Sequence, residues 1–257
     1  MSILQQAEKP KDKPIVCTIL GDPGIGKTSF ASTFPSPVVI RAEDGVHGVP
    51  ESHRPDALPV IKDVDDLWSQ FTALIKENHS YKTVVIDSIT QLEELFIKHI
   101  VESDPKKPKS INQAQGGYGA GYRAVADMHQ RVRKAAGSLV DRGINVVFIA
   151  HSDTNKIDPP DGDSYTRYDL RLHQKSMSPY TDNVDLIGYL KLKTYLTGDE
   201  DERKKAVSDG SRVLVSYTVP SNVSKNRYGI DKDLVFKSGE NPLKPYIKSL
   251  QTQKETK

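Results

Sequence analysis

The sequence runs to 257 residues, 36% hydrophobic and 27% charged, which is apolar material for one α/β core with appended polar segments rather than for two full domains. Its 36 Lys and Arg against 34 Asp and Glu leave a net charge of +2, which excludes a polycation that coats nucleic acid and makes any such contact local. A single cysteine, Cys17, excludes an intrachain disulfide and a cysteine-held metal, and without an apolar run of about 18 residues or an apolar leader in Met1–Pro14 the expectation is a cytoplasmic protein with no membrane partner.

Taken in chain order, the ends at 1–13 and 247–257 are rich in Lys, Gln, Glu and Ser, so both are expected to be disordered around a folded domain at 14–246. Ile15–Leu20 reads as a buried strand, followed by a glycine-rich turn and a short helix from Lys27 that stops before Pro35. Val38–Ile40 runs on through Arg41–Glu43 as a second strand. Asp63 is placed to cap a helix whose Leu67, Phe71, Leu74 and Ile75 fall at i, i+4, i+7 and i+8, a one-sided apolar stripe. Thr83–Asp87 is a third strand, and Ile89, Leu92, Leu95, Phe96 and Ile100 mark a helix closed by Asp104-Pro105. Lys106–Tyr122, with Gly116, Gly117, Gly119 and Gly121, reads as a mobile loop. Val125, Val132, Ala135 and Leu139 support a long helix to about Asp141, and Asn145–Ala150 is a fourth buried strand. The polar stretch Ser152–Tyr180 is too long for a simple connection. Val184–Leu196 and Arg212–Pro220 read as strands around Thr197–Ser211, a C-terminal β-hairpin extending the sheet. Strands alternating with helices predict an α/β fold with a mostly parallel central sheet flanked by helices.

One segment carries chemistry outright. Gly21-Asp22-Pro23-Gly24-Ile25-Gly26-Lys27-Thr28 matches G-x-x-x-x-G-K-[ST] and lies immediately after a strand and at the opening of a helix, as a P-loop requires. The glycines let successive backbone N–H groups turn toward phosphate oxygens, and the helix N-terminus adds partial positive charge. Gly21 to Thr28, with Ser29 behind them, are therefore the expected nucleotide-binding residues. Lys27 is expected on the β- and γ-phosphates and Thr28 on Mg²⁺, so ATP and Mg²⁺ are the expected cofactors. Asp87 ends the apolar run Thr83-Val84-Val85-Ile86, where a Walker-B carboxylate contacts Mg²⁺; a carboxylate there also suits a helix N-cap, for which Asp87 and Ser88 both qualify.

This succession, with Val38-Val39-Ile40-Arg41-Ala42-Glu43 between P-loop and Walker-B strand, resembles the RecA-like P-loop ATPases. In that family the acid ending the second strand activates the attacking water. The resemblance gives that role to Glu43, with Asp44 beside it as the second candidate. Val146-Val147-Phe148-Ile149-Ala150-His151 is similar to the strand that ends in a polar sensor of the γ-phosphate, which makes His151 the sensor. Lys225-Asn226-Arg227 resembles the Lys-x-Arg element presented to a neighbouring subunit's nucleotide, and is otherwise a solvated turn. From Ile15 to Ile230 the layout is similar to the phage-encoded RecA-like ATPases of the single-strand-annealing and recombination type. That resemblance implies ATP hydrolysis, a homo-oligomer with nucleotide at the subunit interface, and single-stranded DNA as partner in the host cytoplasm.

RecA-like proteins hold DNA through two loops, and two long intervals stand in the matching places. The first carries Lys106, Lys107 and Lys109 beside Tyr118 and Tyr122; the second, Ser152–Tyr180, carries Lys156, Arg167, Arg171, His173 and Lys175 with Tyr165 and Tyr168, diluted by five aspartates. Ordinary solvated loops are the alternative for both. Asn155-Lys156-Ile157-Asp158 spells the N-K-x-D of small GTPases, but His151–Thr154 separate it from its strand and Asp87-Ser88-Ile89-Thr90 lacks the glycine of D-x-x-G, so ATP is expected over GTP. A helicase- or loader-type motor and a nucleotide-gated scaffold with little turnover are the other readings of the same core.

Overall fold

A computed structural model describes residues 3–9, 11–197 and 205–251. The elements follow as β1 (Val16–Gly21), α1 (Lys27–Ala31), β2 (Pro37–Arg41), β3 (Asp56–Ala57), α2 (Val64–Lys76), β4 (Thr83–Asp87), α3 (Ile89–Ser103), α4 (Ala120–Asp141), β5 (Asn145–Ile157), β6 (Tyr165–Leu170), α5 (Ser178–Thr181), β7 (Leu186–Thr197), β8 (Lys205–Val215), β9 (Lys225–Asn226) and β10 (Leu234–Phe236). No helix among the described residues is long and apolar enough to cross a membrane.

The sheet runs β10-β8-β7-β1-β5-β4-β2-β3, with β6 paired to β5 and β9 to β7. From β7 across to β3 the neighbours are parallel. β8 and β10 add antiparallel strands at one side. The central strands are apolar along their length because both faces are covered. Strand parity divides their side chains: Val16, Leu20, Val84 and Ile86 face a core with Leu67, Phe71, Leu92, Phe96 and Val132 of α2, α3 and α4. Cys17, Ile19, Val85 and Val147 face the opposite core, with Phe30 of α1 and Phe236 of β10.

Helix starts follow the side-chain chemistry. The Asp63 carboxylate accepts from Asp66 N (2.9 Å) at the start of α2. Of the two cap residues available to α3, Ser88 takes the task, its hydroxyl accepting from Gln91 N, which leaves the Asp87 carboxylate for other work.

Three expectations change. Ser152–Tyr180 is not a loop: β5 continues to Ile157 and β6 returns antiparallel, with Ser152 opposite Leu170 and Ile157 opposite Tyr165. Pro159-Pro160-Asp161-Gly162 supplies the turn, and cross-strand pairs such as Thr154 with Tyr168 suit a pleated strand. The Lys106–Tyr122 interval is anchored, since the Asp104 carboxylate accepts from Lys106 N (2.9 Å) and Gln115 N (2.6 Å), Ile111 and Ala114 are buried, and α4 already begins at Ala120. At the C-terminal side Ile247 and Leu250 are buried in the core that holds Phe30, so the folded unit passes the boundary expected at 246. The rest of the expected C-terminal tail, 252–257, lies outside the described residues, as do Met1, Ser2, Pro10 and part of the interval Thr197–Ser211. Ile3–Gln6 form an exposed 3-10 turn.

The α3–α4 face buries two ionisable groups 4.0 Å apart, Glu93 and His129, and the effect of the histidine on stability is predictable. His129 is fully buried, with Nδ1 2.7 Å from the Tyr180 hydroxyl and the Phe96 ring edge-on at 5.0 Å. Burial pushes its imidazole down to about 3, so it stays neutral in the fold. Unfolded histidine titrates near about 6.5, so below that pH the unfolded chain binds the extra proton and stability falls as pH drops toward the folded value. Denaturant unfolding of the wild type should therefore lose about 2 kcal/mol through this residue between pH 7 and pH 5. His129→Gln should show a correspondingly flatter profile, and parallel profiles would assign the acid sensitivity elsewhere.

Candidate active site

A parallel sheet delivers the C-terminal ends of its strands to one edge, and the register does so here: Gly21 is level with His151, and Asp87 with Arg41 and Ile149. Because β5 lies between β1 and β4, His151 arrives between the P-loop and Asp87. The turn from β1 into α1 needs glycine at Gly24 (φ 78°) and Gly26 (φ 99°), a backbone region that side chains disfavour. Lys27, only 7% exposed, donates from Nζ to the Gly21 and Asp22 carbonyls at 3.0 and 2.9 Å. The Thr28 hydroxyl donates to Asp87 Oδ2 at 2.7 Å. Backbone N–H groups of Ala42 and Glu43 both donate to the Asp87 carbonyl, so the chain leaving β2 is turned onto the end of β4. That places Glu43 Oε1 3.2 Å from His151 Nε2, while His151 N donates to the Thr90 hydroxyl on α3. The Ser152 hydroxyl donates to the Asp22 carboxylate, tying the end of the β5 core segment to the P-loop.

These groups line a cavity of about 490 Å³ that includes Pro23, Gly24, Gly26, Lys27, Thr28, Ser29, Glu43, Asp87, His151 and Arg212. Their charges are coupled through it. Burial pushes the Asp87 carboxyl up to about 6, opposed by the Thr28 hydroxyl. The hydrogen bond from His151 holds Glu43 below the usual carboxylate range despite its partial burial. Burial lowers the Lys27 ammonium, opposed by Asp87 and Glu43. The cavity thus holds an ionised carboxylate at Glu43 and, at Asp87, one that a cation would favour in its charged form. Thr28 and Asp87 together present hard oxygen donors, and no cluster of three His, Cys, Asp or Glu suited to a metal occurs among the described residues. That donor set fits Mg²⁺, which takes one or two protein oxygens and completes its shell with phosphate and water.

The structure brings together the P-loop from Gly21 to Ser29, Glu43, Asp87 and His151. Asp44 turns away and pairs with Arg41 (2.9 Å). Lys225 and Arg227 lie elsewhere in the fold. Asn226 is opposite Leu186, which is level with Cys17, so the segment sits about 13 Å down the strand axis from Gly21 at roughly 3.3 Å per residue. There Arg227 pairs with Asp185 (3.0 Å) with its side chain 60% exposed, and Lys225 Nζ donates to the Thr181 and Asp182 carbonyls. The N-K-x-D letters fall on the β5–β6 hairpin, where Lys156 pairs with Asp158 (2.9 Å). Sequence reasoning gave no role to Arg212, or to Thr90, whose hydroxyl accepts from His151 N. A threonine at the second position of the helix that follows the Asp87 strand is a weak local signal; Arg212 has none.

Residues 13–228 match the AAA domain family. A search of the curated proteins gave no match. With the P-loop, the Thr28–Asp87 pair and the flanking carboxylate in one cavity, and the family match spanning most of the sequence, the chain belongs to the AAA-domain family of P-loop ATPases.

Proposed function

We propose that the protein is a Mg²⁺-dependent ATPase with a RecA-like core that hydrolyses ATP in homo-oligomers assembled on single-stranded DNA, in recombination or annealing. The observation that carries the hydrolytic part is the Glu43–His151 pair at 3.2 Å beside the Thr28–Asp87 pair: an ionised carboxylate next to the metal-binding corner. Lys27 neutralises charge on the β- and γ-phosphates, and the turn Asp22–Gly26 supplies backbone donors. Thr28 and Asp87 hold Mg²⁺, which when bound draws charge from the phosphate oxygens. Glu43 orients the attacking water and accepts its proton. His151 keeps the Glu43 carboxylate ionised and aimed, and lies where it can register the γ-phosphate. Arg227 is the trans residue in this reading, because it is exposed and far from its own P-loop, whereas Lys225 is held by carbonyls of its own chain.

The DNA part is supported by the surface near α4. Lys106, Lys107 and Lys109 are exposed and Tyr118 is 100% exposed. Tyr122 stacks on His173 (4.0 Å, 12°), joining this segment to the one that follows β6. Exposed cations and the free ring of Tyr118 on one segment suit backbone neutralisation and base stacking. Turnover per subunit should rise with single-stranded DNA and with protein concentration, since a trans residue acts only between adjacent subunits. Replacing Lys106, Lys107 and Lys109 together by Ala should flatten the log–log salt dependence of binding by about 0.7 for each phosphate no longer neutralised, with base preference unchanged. Turnover indifferent to DNA, with an unaltered salt slope, would leave an ATPase with no DNA role at this surface.

A further inference from the structure

We infer that Arg212 is a nucleotide-binding residue acting within its own subunit, its guanidinium donating to the α- and β-phosphates of bound ATP or ADP. The inference rests on the nucleotide reading of the P-loop cavity and names a contact that the sequence pattern does not contain.

Arg212 lies on β8, directly opposite Phe236 of β10. Its guanidinium carbon sits 4.6 Å over the Phe236 ring, and that ring packs edge-on against Phe30 of α1 (5.3 Å, 72°). The helix that opens at Lys27 therefore carries the seat on which the guanidinium rests. From there Nη1 approaches the Ile25 carbonyl (3.4 Å). It also closes on Gly26, where any Cβ would collide with it. The left-handed backbone is what requires glycine at this position, and the guanidinium fills the space that its missing side chain leaves.

Among the described residues Arg212 forms no ion pair, and the one hydrogen bond of its side chain is the long one to Ile25. A half-buried guanidinium is thus held against a phosphate-binding turn by ring stacking, with most of its donors uncommitted. It lines the cavity that holds Lys27, Glu43 and Asp87, where Lys27 is otherwise the one fixed cation facing two carboxylates. It also lines an adjoining cavity of about 630 Å³ with Asp22, Tyr189 and Lys191, so it forms part of the wall between the two. The P-loop turn at Ile25–Gly26 faces the α- and β-phosphates, while Lys27 reaches β and γ. A planar fork at that turn matches two phosphate oxygens at once. Arg227, at the opposite end of the strands, cannot make this contact in the same subunit.

The test is equilibrium binding of Mg·ATP and Mg·ADP to the full chain, followed by calorimetry, with thermal melting of each unliganded variant as a check on folding. Arg212→Ala and Arg212→Gln should raise Kd for both nucleotides by similar factors, about tenfold to a hundredfold for a charge-assisted contact. Arg212→Lys should recover part of the loss, because the charge remains and the fork does not. Phe236→Leu should weaken both nucleotides by a smaller factor, since the cation stays but loses its seat. A wild type that binds with Arg212→Ala and Arg212→Gln binding equally well overturns the inference and leaves the nucleotide site standing. Loss confined to ATP overturns the α,β assignment in favour of γ-phosphate contact. A wild type that binds neither nucleotide overturns the site and this inference together.

Discussion

Lys27→Ala is expected to weaken ATP binding by roughly a thousandfold, from two charge-assisted hydrogen bonds at about 2 kcal/mol each, while melting within a few degrees of the wild type. The split follows from what holds Lys27. Its ammonium is bonded to the Gly21 and Asp22 carbonyls of its own loop, and burial lowers its pKa, so the fold gains little from keeping the charge there. Phosphate oxygens would reward the same ammonium with full ionic contacts. Its side chain lines the open cavity beside the loop, so truncation enlarges a space that already exists instead of opening a new one in the core. Titration of nucleotide and thermal melting on the same preparation separate the two effects. Parental affinity in the variant would place the nucleotide outside the P-loop cavity.

Glu43→Gln should lower turnover by about a hundredfold to ten-thousandfold, the range ascribed to a general base, with Mg·ATP affinity within a few-fold of the wild type. Glutamine is the informative replacement because its side-chain oxygen can still face His151 Nε2, the partner that holds the carboxylate below its usual pKa. Geometry is then retained and only proton acceptance is lost. Single-turnover hydrolysis reads the chemical step directly, and binding is measured in parallel. Parental turnover would move the base elsewhere; Asp44 is the neighbouring carboxylate, though its ion pair with Arg41 turns it from the cavity.

Apart from Lys27 and Thr28, which the P-loop pattern marks at the start of α1, the residues of the site that were legible in the sequence share one property: each follows closely on an apolar run of a strand. Gly21, Asp87 and His151 end or leave runs of Val, Ile and Leu, and Glu43 follows such a run by one short turn. Those are local signals, set by burial on both faces of a parallel strand. Helix caps at Asp63 and Ser88 are local in the same sense. The hairpin of β5 and β6 was not legible, because Ser152–Ile157 is polar and its extended form depends on pairing with Tyr165–Leu170. Nor was the end of the folded unit, where Ile247 and Leu250 look like isolated apolar residues in a polar segment until the core containing Phe30 receives them.

By itself, then, the sequence determined the strand-turn-helix at Gly21–Thr28, the carboxylates that stand after apolar strands, and the expectation of a nucleotide. Tertiary structure decided which of them share a cavity, by ordering the strands so that β5 separates β1 from β4 and His151 meets Glu43, 108 residues away. It also decided the two arginines. The Lys-x-Arg letters drew attention to Arg227, whereas Arg212 merely opens the apolar run Val213-Leu214-Val215 and nothing local ties it to the P-loop. Pairing of β9 with the start of β7 puts Arg227 far from the P-loop, whereas pairing of β8 with β10 seats Arg212 on Phe236, its guanidinium reaching a carbonyl 187 residues away. Strand register between distant segments is chosen by the burial of whole faces, a property of the assembled sheet that no window of neighbouring residues contains.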